Sequence, residues 1–85
     1  MGYKNLKVSI IGIGRVGLPL ALFLESLGCK VVGIDKDSEV LRDVRKKKMS
    51  FDEPGCAALL KKTKMRISPS IQSGVRGSDY IIITV

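Results

Sequence analysis

Residues 12 to 17 read Gly12-Ile13-Gly14-Arg15-Val16-Gly17, three glycines set between an apolar run and a longer apolar-periodic stretch. Residues 6–11 are mostly apolar and partly β-branched, and too few for a helix, which makes them a strand. From residue 15 to 27 the spacing turns helical, with Val16, Leu20, Phe23, Leu24 and Leu27 expected inward and Gly28 in the stop position. A strand that runs through a glycine turn straight into a helix places the turn at the helix N-terminus. Unpaired N–H groups and the helix dipole favour an anion there. Pro19 falls inside this helix, beyond its first turn on this reading, where a missing N–H and a ring clash cost about 3 kcal/mol, so a local bend is expected.

The rest of the chain repeats the alternation. Residues 30–34 form a second short strand, and Asp37 or Ser38 can cap a polar helix to about residue 47, with Val40, Leu41 and Val44 inward. Pro54-Gly55 breaks the chain. A short helix over 56–62 turns Leu59 and Leu60 inward, residues 65–68 make a weak third strand, 70–76 a short helix, and 80–85 a strongly apolar fourth strand. Strands separated by helices call for a parallel sheet. The fold expected is therefore α/β, Rossmann-like and three-layered, with a partial parallel sheet in the order 3-2-1-4 and helices on both faces. It is read as a single, partial domain over residues 1–85, and as a fragment, because a buried-type strand closes at Val85.

Composition narrows the classes of function. A chain of 85 residues that is 45% hydrophobic and 27% charged can bury one small core. No stretch has the ~20 apolar residues of a membrane span, and no apolar leader precedes the first strand, so a cytoplasmic location is expected. Cys29 and Cys56 are the only cysteines and histidine is absent, which leaves no metal-ligand set; two free thiols are the expectation. The net charge of +7 raises nucleic acid as a partner. Against it, the basic residues are scattered apart from Lys46-Lys47-Lys48, read as a solvated helix face, and only four aromatic side chains are present.

A pyrophosphate fits the glycine turn. Gly12 permits the tight turn, Gly14 lets backbone approach phosphate, and Gly17 lets the helix pack on the strand. Asp35 ends the second strand a little beyond the usual offset from such a turn, where a carboxylate accepts hydrogen bonds from an adenine ribose and repels the extra phosphate of NADP. The dinucleotide expected is NAD. Lys36, beside Asp35, is a cation that could partly accommodate that extra phosphate, and Arg15 is either a phosphate contact or a solvated side chain.

Gly12 to Gly17 with Leu18-Pro19-Leu20, Val32-Gly33-Ile34-Asp35, Glu53-Pro54-Gly55, and Ser78-Asp79-Tyr80-Ile81-Ile82-Ile83-Thr84-Val85 together resemble the N-terminal segment of the UDP-glucose/GDP-mannose dehydrogenase family. The resemblance implies an NAD-dependent four-electron oxidation, in which the primary alcohol of a nucleotide-linked sugar becomes a carboxylate by way of a cysteine-bound intermediate. The catalytic cysteine of such enzymes belongs to a later segment, so no catalytic residue is assigned here. Neither Cys29 nor Cys56 matches it, and both are read as packing residues. The resemblance also places Thr84 and Val85 against the cofactor; Ile13, Arg15 and Val16 of the glycine turn and Lys36 beside Asp35 complete the expected cofactor-binding set. Three positions depart from the family: Arg15 for an aromatic, Val40 for a Lys or Arg, and Lys47 for a glycine.

One alternative belongs to another class, an NAD-sensing regulatory domain of the potassium-transport type, which would suit Gly14-Arg15-Val16-Gly17 and Ile34-Asp35-Lys36-Asp37. Against it stand residues 65–69, where a Gly-Asp pair would be usual, and the inserted Glu53-Pro54-Gly55. The partners expected are NAD, a nucleotide sugar only with further domains, no nucleic acid, no membrane, and a second copy of the chain paired at the edge of the fourth strand.

Overall fold

The computed structural model describes residues 5–84. Four parallel strands, β1 (Lys7–Ile11), β2 (Lys30–Ile34), β3 (Arg66–Ser68) and β4 (Tyr80–Ile83), form one sheet in the order β3-β2-β1-β4. Helices α1 (Gly17–Ser26), α2 (Ser38–Arg45), α3 (Cys56–Lys62) and α4 (Ile71–Gly74) lie between them. The register runs from Lys7 opposite Lys30 to Ile11 opposite Ile34 across β1 and β2, and from Val8 opposite Tyr80 to Ile11 opposite Ile83 across β1 and β4. This is the α/β topology the sequence implies.

Side chains alternate across a strand, and the two faces of this sheet are covered unequally. On one face Val8, Ile10 and Val31 pack with Leu18, Ala21 and Leu22 of α1, Leu41 and Val44 of α2, and Cys56 and Leu60 of α3. On the other, Ile34 is buried outside that cluster, and a Cβ at Gly74 of α4 would come within 2.5 Å of it. Ser9 points the same way: its hydroxyl donates to the Gly74 carbonyl at 2.9 Å and shares a short hydrogen bond with Ser78. Helices thus occupy both faces, although α4 is a single turn.

The inner side of α1 differs from the expected stripe. Leu18, Ala21 and Leu22 are buried, whereas Val16 and Phe23 are 63% and 55% exposed. Every residue from Gly17 to Leu24 is apolar, so periodicity carries no orientation there. Packing of Gly17 against the preceding turn decides it instead, and the helical period then brings positions 18, 21 and 22 round to the sheet. Pro19 is tolerated for a related reason. Because α1 starts at Gly17, Pro19 is its third residue, in the turn whose N–H groups have no intrahelical acceptor.

Other punctuation follows the sequence. Gly28, with φ of +103°, ends the turn after α1, and Asp37 caps α2 by accepting from the Glu39 amide at 2.9 Å. Lys46-Lys47-Lys48 lies past the end of α2 rather than on its face. Lys47 there takes φ of +59°, in the region glycine favours, and its Nζ donates to the Thr63 carbonyl at 2.5 Å. Cys29 and Cys56 are both free thiols buried in the core.

The reassigned face of α1 has a measurable consequence. Leu22→Ala should destabilise the chain by about 2–5 kcal/mol, as a cavity at a collapsed core position does. Phe23→Ala should cost less than about 1 kcal/mol, because its ring is mostly in solvent. Urea unfolding followed by circular dichroism separates the two, and the opposite ranking would restore the original stripe.

Candidate functional site

Three glycines serve three purposes in the turn after β1. Gly12 takes φ of +93° and donates its amide to the Ile34 carbonyl at 2.7 Å. Its own carbonyl receives the Thr84 hydroxyl at 2.7 Å, while the Thr84 amide donates to Ile11 at 2.9 Å. The turn is pinned between the ends of β2 and β4. Gly17 is where α1 touches the turn, and a Cβ there would lie 1.7 Å from the Gly12 carbonyl oxygen. Gly14 is different: a Cβ built on it meets no heavy atom within 4 Å. Nothing within the described chain requires that position to be glycine.

The open space beside Gly14 adjoins the start of α1, which carries no side-chain cap and no acidic residue in its first turn. The starts of α2 and α4, by contrast, are capped by Asp37 and Ser70. Uncapped N–H groups keep the partial positive charge of the helix N-terminus. A small cleft of about 150 Å³ also opens beside Gly14, with Leu18, Val40 and Val44 in its wall and Arg15, Lys48 and Phe51 around it.

Asp35 follows β2 and is half-buried. One carboxylate oxygen accepts the Ile13 amide at 3.0 Å and the other accepts the Asp37 amide at 3.0 Å. The residue therefore ties the glycine turn to the β2–α2 turn. A carboxylate offers about four acceptor positions, so two remain for outside donors. Sequence reasoning expected Asp35 to face a ligand and missed these ties, because backbone amides leave no mark in a side-chain pattern.

The remaining expected residues divide by location. The Ile13 side chain is buried in the core, close to Gly33. Arg15 and Val16 are exposed at the start of α1, and Lys36 is exposed next to Asp35. Arg15 lies over the Phe51 ring, 5.7 Å from its centroid, within cation–π range. Phe51 gave no signal in the sequence, since its segment has neither helical nor strand periodicity. Val85 lies outside the described residues.

Burial, and after it the charge of Glu53, push the Cys56 thiol above its ordinary pKa. A raised pKa disfavours the thiolate and hence nucleophilic work. Among the described residues no group of three or more His, Cys, Asp and Glu side chains is placed to hold a metal ion. No helix there is long and apolar enough to cross a membrane.

With this geometry in place, comparison with known proteins identifies the lineage. The sequence profile of the UDP-glucose/GDP-mannose dehydrogenase family, NAD binding domain, matches residues 6–85. The chain belongs to this family. Its cofactor is accordingly NAD. A UDP-N-acetyl-D-mannosamine dehydrogenase of Methanococcus maripaludis is 30% identical over 83 residues, covering 98% of the chain and 19% of that relative. A UDP-glucose dehydrogenase structure from Pyrobaculum islandicum superposes with a TM-score of 0.86 at 26% identity, over 99% of the chain and 20% of its own. A GDP-mannose dehydrogenase from Pseudomonas aeruginosa, solved as a ternary complex, gives 0.84 at 30% identity, over 92% and 19%. The chain spans about a fifth of the length of the curated relatives it matches.

The contrast between two glycines can be tested without any ligand. Gly17→Ala should lose about 3 kcal/mol or more of stability, because its methyl group meets backbone rather than a movable side chain. Gly14→Ala should stay within about 0.5 kcal/mol of the parent, as other open surface positions do. Thermal unfolding of both variants checks the pair.

Proposed function

We propose that this chain holds the pyrophosphate and adenine ribose of NAD for an enzyme that oxidises the primary alcohol of a UDP- or GDP-linked sugar to a carboxylate. The observation that carries the reading is Gly14. It is a glycine with no structural need, beside an uncapped helix start, and what it preserves is access for a ligand's phosphates to the backbone. In this reading the amides of residues 14 to 17 face the pyrophosphate, with Arg15 supplying a cation from its place over Phe51 and Val16 flanking the phosphates. Ile13 contributes by fixing the turn from the core.

Asp35 uses its two remaining acceptor positions for the ribose hydroxyls, which favours NAD over NADP, and Lys36 lines the same edge. Thr84 and Val85 take the cofactor's other side, where the strands of such sheets end at their ligands. NAD supplies the hydride acceptor, and the catalytic groups are assigned to a part of the enzyme outside these 85 residues. On its own the chain is proposed to bind and not to turn over substrate. We prefer this reading to a regulatory NAD sensor because the matched family is one of dehydrogenases. A cytoplasmic setting fits two buried, unpaired thiols.

Calorimetric titration tests the site. NAD should bind one per chain, NADP about tenfold or more weaker, as befits a carboxylate facing an added phosphate, and Gly14→Ala should reduce NAD affinity by at least about tenfold. Equal affinity in Gly14→Ala would remove the glycine turn from the site. Preference for NADP would remove the role given to Asp35.

The same reading includes self-association of the isolated chain at β4. Tyr80, Ile81 and Ile83 of this edge strand are 63%, 50% and 71% exposed, and an apolar edge with unpaired backbone groups is a template for a second strand. Light scattering should report a mass of two or more chains at high concentration, reduced toward one by Ile83→Lys. A monomer at every concentration would count against pairing there.

A further inference from the structure

The amino-terminal rim of the sheet, at the opposite end from the glycine turn, concentrates positive charge for which the dehydrogenase reading has no use. Register is the cause. Lys7 stands directly opposite Lys30, and Lys64, just ahead of β3, lines the same cavity as both. Neighbouring strands are about 4.8 Å apart, and like charges set directly opposite one another, as Lys7 and Lys30 are, destabilise a sheet. Arg66 stands opposite Val32, on the same sheet face as Lys30, and Arg76 arrives from the chain beyond α4. All five cations line one cavity of about 350 Å³.

The cavity opens at the edge of the sheet, where Val8, Val31 and Glu25 line it together with the cations, while the single turn of α4 covers the sheet farther along, at Ile34 and Ser68. Acidic groups at the rim are already engaged. Glu25 accepts the Lys64 amide at 3.0 Å and the Thr63 hydroxyl, and Asp79 accepts the Lys7 amide at 2.9 Å. Among the described residues the one ion pair is Arg42 with Glu39, on α2, so none of the five rim cations has a carboxylate within ion-pair distance. A solvated lysine face would spread its charges apart; here register and a concave wall converge them.

We propose that this cavity is a second anion site, distinct from the glycine turn, which takes a small phosphate-bearing ligand of diphosphate size. Two guanidinium groups offer forked donors to phosphate oxygens and three ammonium groups add point charges, a donor set matched to phosphate. The volume falls at the lower end of small-molecule pockets. Filling the cavity would also relieve the repulsion between Lys7 and Lys30. The site does not depend on the NAD reading, and its test can be separated from it.

Pyrophosphate is the probe, titrated calorimetrically at low ionic strength because exposed charges are screened by salt. The Gly14→Ala chain is the background, so that the glycine turn does not compete for the probe. Saturable binding of one pyrophosphate per chain is expected, weakened about tenfold or more by adding Lys30→Gln and Arg66→Gln, since each removes a charge-assisted hydrogen bond. Both side chains are exposed, and a urea midpoint no lower than that of the Gly14→Ala chain verifies that the variants fold. Heats that never saturate, or equal affinity with and without the two glutamines, would overturn the proposal.

Discussion

The space for a single methyl group, absent between residue 17 and the carbonyl oxygen of Gly12, governs the arrangement of this domain. Because Gly17 has no side chain, α1 starts in contact with the turn that precedes it. That contact rotates Leu18, Ala21 and Leu22 onto the sheet and leaves the uncapped helix start beside Gly14. The Thr84 hydroxyl reaches the same Gly12 carbonyl from the end of β4. One backbone oxygen is thus the meeting point of the turn, the first helix and the last strand. A ligand site built at such a junction inherits the rigidity of its supports, which is what close backbone recognition of phosphate needs.

How much of this could be read in advance depends on what carried the information. The strands were legible because short β-branched runs bounded by glycine and proline leave few alternatives, and their order followed from the strand–helix alternation. The candidate site was suggested by Gly12, Gly14, Gly17 and Asp35, whose spacing reflects backbone geometry common to many dinucleotide folds. The inner face of α1 was not, since eight consecutive apolar residues contain no phase. Pro19 looked disruptive only while the helix start was placed two residues early. The amide ties of Asp35, the stacking of Arg15 on Phe51 and the pairing of Lys7 with Lys30 are tertiary facts, set by register and turn geometry rather than by local pattern.

Asp35 illustrates how support and recognition share one group. Its two oxygens already hold the amides of Ile13 and Asp37, so the acceptor proposed for ribose also fixes the glycine turn relative to the start of α2. A donor arriving at the remaining lone pairs acts on a carboxylate already immobilised, and pre-organisation of this kind lowers the ordering cost of binding. Lys47 shows the opposite compromise. It occupies a backbone conformation suited to glycine, and its ammonium group spans to Thr63, linking the end of α2 to the end of α3.

The two apolar sides of α1 bear on how the isolated chain behaves in solution. Its inner side builds the core, while Val16, Phe23 and Leu27 present a second hydrophobic ridge to water, in addition to Ile81 and Ile83 on the sheet. What opposes coalescence of these ridges is the net charge of +7, which makes copies repel at long range. That repulsion reaches only about 8 Å at physiological ionic strength, while apolar attraction is not weakened by salt. The colloidal lifetime of the chain is therefore set by its ionic surroundings, and dilute buffer keeps dispersed what concentrated salt would gather.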